Sequence, residues 1–377
     1  MKAKSIKGKN AAEIRAALET SMTDGFNPTV AIVFLESELS HEEICSVLSE
    51  KGIQIFGASS GSNFTDGEIE TNSVVILLLE IKQEYFQLKL VTAEKGKTKD
   101  IAEEIGRAGL AAFRNPAFLI VSGGIAVDGD EIVDGIENVC GKGTNLFGGL
   151  AADSLKMIRT YVFTNDKVTD KGLIALILDE EKISLSGKAI GGWRPVGIDH
   201  VITHSNGNIL YTIDDEPALQ FISRYTGVKD FFGPEISNVI FSANFQLQLQ
   251  RENKHPVMRT PMYANPDDHS IVFAGSLPQG SKVRISMLPG FEVIDGALKD
   301  FAEYKNQQPE ADALIMFSCA GRQVSFGPFV SDEINGIKEI WNAPLAGFFC
   351  FGEIGRVEKD THEFHNMTCS LAILKEK

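Results

Sequence analysis

Residues 117–122 read AFLIVS, and residues 313–318 read ALIMFS. Each is an unbroken apolar run of strand length that ends in serine. Such a run fits a strand covered on both faces better than one alternating between core and solvent. Working outward, each run has matching neighbours. Leu146–Ala151 (LFGGLA) corresponds to Leu345–Cys350 (LAGFFC), and Leu173–Leu178 (LIALIL) to Leu371–Leu374 (LAIL). Upstream, Ser73–Glu80 (SVVILLLE) is paired with Ser270–Ser276 (SIVFAGS) at nearly the same offset. A constant offset across separate segments marks internal self-similarity, which constrains architecture more than any single motif.

Between these runs lie helical patterns. Ser40 precedes HEE, an N-cap with acidic residues in the first turn, and opens a helix to about Lys51. The spacing predicts further helices over 98–113, about 129–139 and 216–226. A unit of strand, helix, strand, glycine loop and strand is predicted at 29–80, 117–179 and 313–375. Helices alternating with strands give an α/β fold: two pseudo-repeated lobes with mixed sheets covered by helices, or one layered α-β-β-α body. The expected division is a lobe over 1–226, with a repeat core at 29–180 and connecting elements at 181–226. A second lobe spans 227–377, with its repeat core at 270–375. Residues 57–67 are expected as a loop, Ser73–Ile81 and Tyr85–Val91 as an antiparallel pair, and Phe241–Leu249 as a polar strand. The joint between lobes is placed in 227–268.

Composition narrows the function. A formal charge of -15 opposes nucleic acid and an anionic membrane surface. No apolar run reaches bilayer length, so membrane insertion is not expected. The basic start leads into a polar helix, and no signal peptide is expected. Five cysteines, an odd number without a CxxC pair, fit reduced thiols in the cytoplasm.

Several motifs carry chemistry. Gly148 and Gly149, followed by Asp153, end a strand in a loop whose bare backbone admits a ligand; the plainer reading is a turn with Asp153 capping amides. Trp193 and Arg194 in GGWRPVG offer an aromatic face and a guanidinium, or a packed Trp with a snorkelling Arg. In FSCAGR, Cys319 near Arg322 suggests a thiol with a lowered pKa, but no general base stands at a recognisable spacing. GFFCFGEIG supplies Gly347 and Glu353, and EFHNMT supplies His365 and Asn366. His362 and His365 lack the further ligands zinc needs, so no metal is predicted.

Taken together, FGGLAAD, GGWRPVGIDHVITHSNGNILYTIDDEPAL, VMRTPMY, FSCAGR, GFFCFGEIG and FHNMTCSLAIL resemble the FIST family in both its N- and C-terminal parts. The resemblance runs from about Thr29 to Leu374. It implies a sensory module for small ligands, amino acids among them, of the kind found in bacterial signalling proteins and eukaryotic F-box proteins. It matches at Gly148, Gly149, Trp193, Arg259, Cys319, Arg322, Gly347, Glu353, His365 and Asn366. Ala152 departs from the GGLAGD form, and DDEPAL replaces the commoner Asp-Gly before Pro-Ala-Leu.

The leading expectation is a ligand between the lobes, an amino acid or small organic acid, with a carboxylate on Arg259 or Arg322 and any ammonium on Glu353. Output would pass to a partner such as a histidine kinase or receptor. Two alternatives stay open. One is a haem-based nitric oxide sensor acting on a partner kinase, with haem on His365 or His204, as some relatives suggest. The other is a Cys319-dependent enzyme.

Overall fold

The computed structural model describes residues 1–92, 97–125, 127–228, 236–252, 254–265, 267–287, 290–357 and 361–377. The side chains of 236–239 are not described. Part of the joint expected over 227–268 therefore lies outside the described residues.

The apolar runs form the central strands of three six-stranded mixed sheets with one wiring. In the first unit, Val30–Glu36 runs parallel to Gln54–Ser60 through the helix His41–Ser49, and Val74–Glu80 returns antiparallel beside Val30–Glu36. In the second, the same places are held by Pro116–Gly123, Leu146–Leu150 and Gly172–Asp179, with the helix Gly129–Cys140. In the third they are held by Ala313–Cys319, Leu345–Cys350 and Cys369–Glu376, with the helix Val330–Trp341. An edge strand precedes each unit: Lys2–Gly8, Phe86–Thr92 and Ile183–Ile190. The α/β class, with mixed sheets covered by helices, is thus the observed one.

The three units exchange strands in a ring. Between its second parallel strand and its return strand, each chain segment leaves its own sheet for a neighbour's. Asn63–Thr65 of the first unit pairs with Leu345–Cys350 of the third. Glu353–Gly355 of the third pairs with Leu146–Leu150 of the second. Val162–Phe163 of the second pairs with Gln54–Ser60 of the first. Inner faces of all three sheets meet in one core, where Phe34, Phe317 and Phe348 pack with ring centroids 4.6–6.2 Å apart. Fully buried aromatic rings of this kind dominate core energetics.

Local chemistry explains the elements. Ser40 caps its helix by accepting from the Glu43 N–H at 3.4 Å, as its sequence predicts. Much of the loop expected over 57–67 is strand: Gln54–Ser60 continues through Gly57, where a Cβ would overlap the Phe163 ring, and Asn63–Thr65 forms a second short strand, leaving only 61–62 and 66–67 as bend and turn. Ser73–Ile81 and Tyr85–Val91 do not pair with each other. The short helix Gln83–Tyr85 hands the chain to the next sheet, so Val74–Glu80 pairs with Val30–Glu36, and Phe86–Thr92 with Gly172–Asp179.

The third unit carries an insert between its edge strand and the helix Glu292–Lys305. It is an eight-stranded antiparallel sheet whose strands fall within 194–287, with the helix Ala218–Thr226. Ile271–Phe273 belongs to this insert, so SIVFAGS is not the counterpart of SVVILLLE. Phe241–Asn244 is the end of the helix Ile236–Asn244, and strand begins only at Phe245. The Gln246 amide donates to the Ser242 carbonyl at 2.6 Å and closes that helix end. Among the described residues, no helix is long and apolar enough to cross a membrane.

Candidate functional site

The third unit's parallel strands fix the site. Their register places Cys319 opposite Cys350 at the point where both strands end. From Cys319 the chain turns into the helix Ala320–Phe326; from Cys350 it passes through Gly352 to Glu353. The Glu353 carboxylate is fully buried. Its Oε2 accepts from the Thr368 N–H at 3.1 Å and the Thr368 hydroxyl at 2.9 Å, and its Oε1 from the Cys350 thiol at 3.3 Å. Those donors favour the ion, but burial outweighs them and pushes the carboxyl up to about 8. Burial, then the neighbouring Glu353, pushes the Cys319 thiol well above its ordinary value. The lowered pKa expected beside Arg322 is therefore absent, because that guanidinium is held by Glu333 and the thiol is desolvated.

Met367 sits over Gly321, where a Cβ would overlap the Met367 sulfur. Cys319 Sγ donates to Met367 Sδ at 3.8 Å. These groups border a cavity of ≈ 70 Å³ where the second and third units meet the insert, lined also by Cys350, Phe351, Asn366, Leu155, Met157, Thr260, Met262 and Ala274. Met157, Met262, Ala274 and Phe351 continue into an outer hollow of ≈ 500 Å³. Polar groups at the inner cavity are neutral. Asn366 Oδ1 accepts from the Thr260 N–H at 3.3 Å, and the Thr260 hydroxyl donates to Gln246 Oε1 at 2.6 Å.

The backbone around the cavity is strained. Nine non-glycine residues among those described have positive φ, and six of them are Asp, Asn or His, the types that tolerate it. The other three are Leu155 (φ 61), Met157 (φ 52) and Met367 (φ 61), and all three line this one cavity. Sparsely populated backbone of this kind concentrates at functional sites.

Of the residues singled out in the sequence, Cys319 and Asn366 line the cavity and Glu353 stands directly behind it. The rest lie elsewhere. Arg322 is enclosed, paired with Glu333 and donating to the carbonyls of Gly191 (2.8 Å) and Met367 (3.1 Å). Arg259 is 2% exposed, pairs with Asp130 at 2.7 Å and donates to the Ser276 carbonyl at 3.0 Å. Neither guanidinium reaches the cavity to meet a carboxylate. Trp193 packs against Phe326 and the Arg322 guanidinium, while Arg194 is exposed in a separate hollow with Lys188 and Lys299.

The glycines are required by packing. A Cβ at Gly148 would overlap the Ile120 carbonyl, one at Gly149 would press on the Gly352 carbonyl, and one at Gly347 would overlap Phe64. Asp153 accepts from the N–H groups of Met157 (2.9 Å), Ile158 (2.8 Å) and Arg159 (3.3 Å), which folds the strained loop that carries Leu155 and Met157.

His365 is buried with Nε2 3.3 Å from the Gly355 carbonyl, and burial, followed by nearby Arg251, pushes it down to about 3. It lines neither hollow, so it offers no open face for a haem iron. His204 is exposed and stacked on Tyr211 at 4.5 Å, outside both hollows. These residues do not fit a haem. Among the described residues, no group of three or more His, Cys, Asp and Glu side chains is arranged to hold a metal ion.

Sequence reasoning did not select Cys350, Met367, Thr260, Met262 or Met157. Cys350 sits inside a quoted motif and could have been found from its place at a strand end; the methionines read as ordinary core.

Comparison with known proteins places this geometry in a family. The FIST N domain matches residues 29–216 and the FIST C domain residues 218–356. Uncharacterized protein Mb0898c of Mycobacterium bovis is 23% identical over 248 residues, covering 61% of this chain and 60% of that protein. Uncharacterized protein Rv0628c of Mycobacterium tuberculosis is 23% identical over 247 residues, covering 61% of each. The match thus takes in about three fifths of these relatives' length. Among solved structures, T. maritima PurL complexed with ATP aligns with a TM-score of 0.19 and 9% identity, covering 100% of this chain and 71% of that one; the likeness carries no argument.

Proposed function

The chain belongs to the FIST family, and from that premise we propose that it is a cytoplasmic, non-enzymatic sensory protein whose small ligand binds in the cavity beside Cys319 and Asn366. FIST domains are sensory domains of signal-transduction proteins associated with small-ligand binding. The observation that carries the reading is the convergence of the three strained residues Leu155, Met157 and Met367 on one cavity. A fold keeps such backbone only where its surroundings over-determine it.

The ligand in this reading is small and neutral. Apolar side chains dominate the cavity wall, and Asn366 and Thr260 supply hydrogen-bonding groups without charge. A zwitterionic amino acid would have to draw Arg259 from the half-buried Asp130, or Arg322 from Glu333, which would leave a fully enclosed carboxylate unpaired. A Cys319 nucleophile is disfavoured in the same reading, because its thiol is desolvated.

Signal output follows from the two sides of the cavity. The insert is tied to the body by Arg259–Asp130, Ser276–Asp128 and Arg251–Glu363. A ligand that prefers one setting of these contacts shifts the insert against the body, and a partner such as a histidine kinase or receptor reads the shift. The division into parts over 1–226 and 227–377 belongs to this proposal; Gly227, left-handed at φ 74, ends the helix Ala218–Thr226 at that boundary.

The test is a thermal-shift screen of neutral metabolites, amino acids, organic acids and haem, repeated with Ala274→Trp to block the cavity mouth. A neutral compound that raises the wild-type midpoint and not the variant's supports the reading. A shift kept in the folded variant, or given only by haem, overturns it.

A further inference from the structure

The cavity is rich in sulfur. The chain has eight methionines and five cysteines, and five of these thirteen residues line this one small cavity: Cys319, Cys350, Met157, Met262 and Met367. We infer that the cavity binds a soft d10 cation, Cu(I), between the thiolates of Cys319 and Cys350, with the Met367 thioether as third ligand. This rests on the reading of the cavity as the binding site and adds to the neutral ligand proposed there a second, inorganic one, taken by the sulfur groups rather than by Asn366 and Thr260.

The geometry brings two thiols and a thioether to one place. Cys319 and Cys350 are direct partners on adjacent parallel strands, so their side chains leave the same face of the sheet. Neighbouring strands lie about 4.8 Å apart. Two metal–sulfur bonds of roughly 2.3 Å each can bridge thiols carried on strands at that spacing. Met367 Sδ, 3.8 Å from Cys319 Sγ, stands where a third donor would be, and its left-handed backbone holds it there.

Donor chemistry selects the metal. Thiolate and thioether are soft ligands suited to Cu(I), whereas structural zinc wants four ligands of Cys or His type. Among the described residues, no histidine lines the cavity. Met157 and Met262 line both the inner cavity and the outer hollow, and so form a thioether path from solvent to the thiols. In the binding step two S–H bonds give way to two S–Cu bonds and two protons are released; nothing is oxidised or reduced.

The experiment titrates the full chain with Cu(I) under anaerobic conditions against a colorimetric Cu(I) chelator, with Ag(I) as a redox-inert second probe. One equivalent is expected to bind, with a thiolate-to-copper charge-transfer band in the ultraviolet. Cys319→Ser and Cys350→Ser each weaken binding by about 100-fold or more, and Met367→Leu by about 10-fold. Cys45→Ser leaves it unchanged. Met367→Leu conserves volume, so its arm stands even where a serine variant fails to fold. No binding against the chelator, or binding that survives in all three site variants, overturns the inference. If copper fails while a neutral organic compound still shifts the wild-type midpoint and not that of Ala274→Trp, the cavity reading survives and the copper inference alone falls.

Discussion

Glu353 takes two hydrogen bonds from one residue: the Thr368 N–H and the Thr368 hydroxyl both donate to Oε2, at 3.1 and 2.9 Å. A fully enclosed carboxyl held this way anchors the segment that carries Asn366 and Met367 to the strand end that carries Cys350. It also makes the site responsive to pH.

Burial raises Glu353 from its ordinary 4.5 to about 8, so the folded chain binds this proton more tightly than the unfolded chain. The stability it contributes is complete below the unfolded value and is lost as pH rises through about 8. Glu353→Gln cannot ionise. Urea unfolding is therefore expected to show wild type losing stability relative to the variant between about pH 5 and about pH 9. Parallel curves would contradict the assignment.

Arg322 and Glu333 form a fully enclosed ion pair. Arg322→Ala leaves the carboxylate unpaired and is expected to cost about 3–5 kcal/mol in chemical denaturation. The double variant Arg322→Met, Glu333→Leu recovers more than half of that loss. It falls short of wild type because the carbonyls of Gly191 and Met367 lose their donor.

His362 is buried against Phe147, ring centroids 5.3 Å apart, and neither ring nitrogen has a partner among the described residues. His362→Phe removes two unsatisfied polar atoms and is expected to stabilise by about 1–3 kcal/mol near neutral pH. Burial pushes His362 down to about 3, so its stabilising share is present above 6.5 and lost as pH falls toward 3. The variant gains most in acid, which thermal unfolding at falling pH checks.

Gly148 has no room for a side chain beside the Ile120 carbonyl oxygen. Gly148→Ala is expected to cost about 3 kcal/mol or more, since backbone rather than a flexible side chain must move. Once refolded at low temperature, such a variant keeps its ligand affinity, because Gly148 does not line the cavity. Equilibrium binding beside urea unfolding separates the two effects.

The sequence shows the central strands because they are covered on both faces and read as unbroken apolar runs such as Val74–Leu79 and Phe118–Val121. The helix after Ser40 is legible from its cap. The ring of exchanged strands is not: Asn63–Thr65 and Glu353–Gly355 are three residues each, too short for a periodic signal. Cys319, Glu353 and Asn366 could be picked out because thiol, carboxylate and amide at strand ends are unusual. That Arg259 and Arg322 are already paired depends on Asp130 and Glu333, whose closeness only the fold creates. The positive φ of Met367 leaves no mark in the sequence, because methionine there looks like core.

The central claim is that ligand enters the cavity shared by Met157, Met262 and Met367. Methyl NMR of the chain labelled at its eight methionines tests it directly, using the compound or ion that gives the largest thermal shift. The account predicts saturable shifts in the Met157, Met262 and Met367 methyl resonances, with Met22 and Met316 unmoved. Saturation that leaves those three unchanged while other methyls move would contradict it.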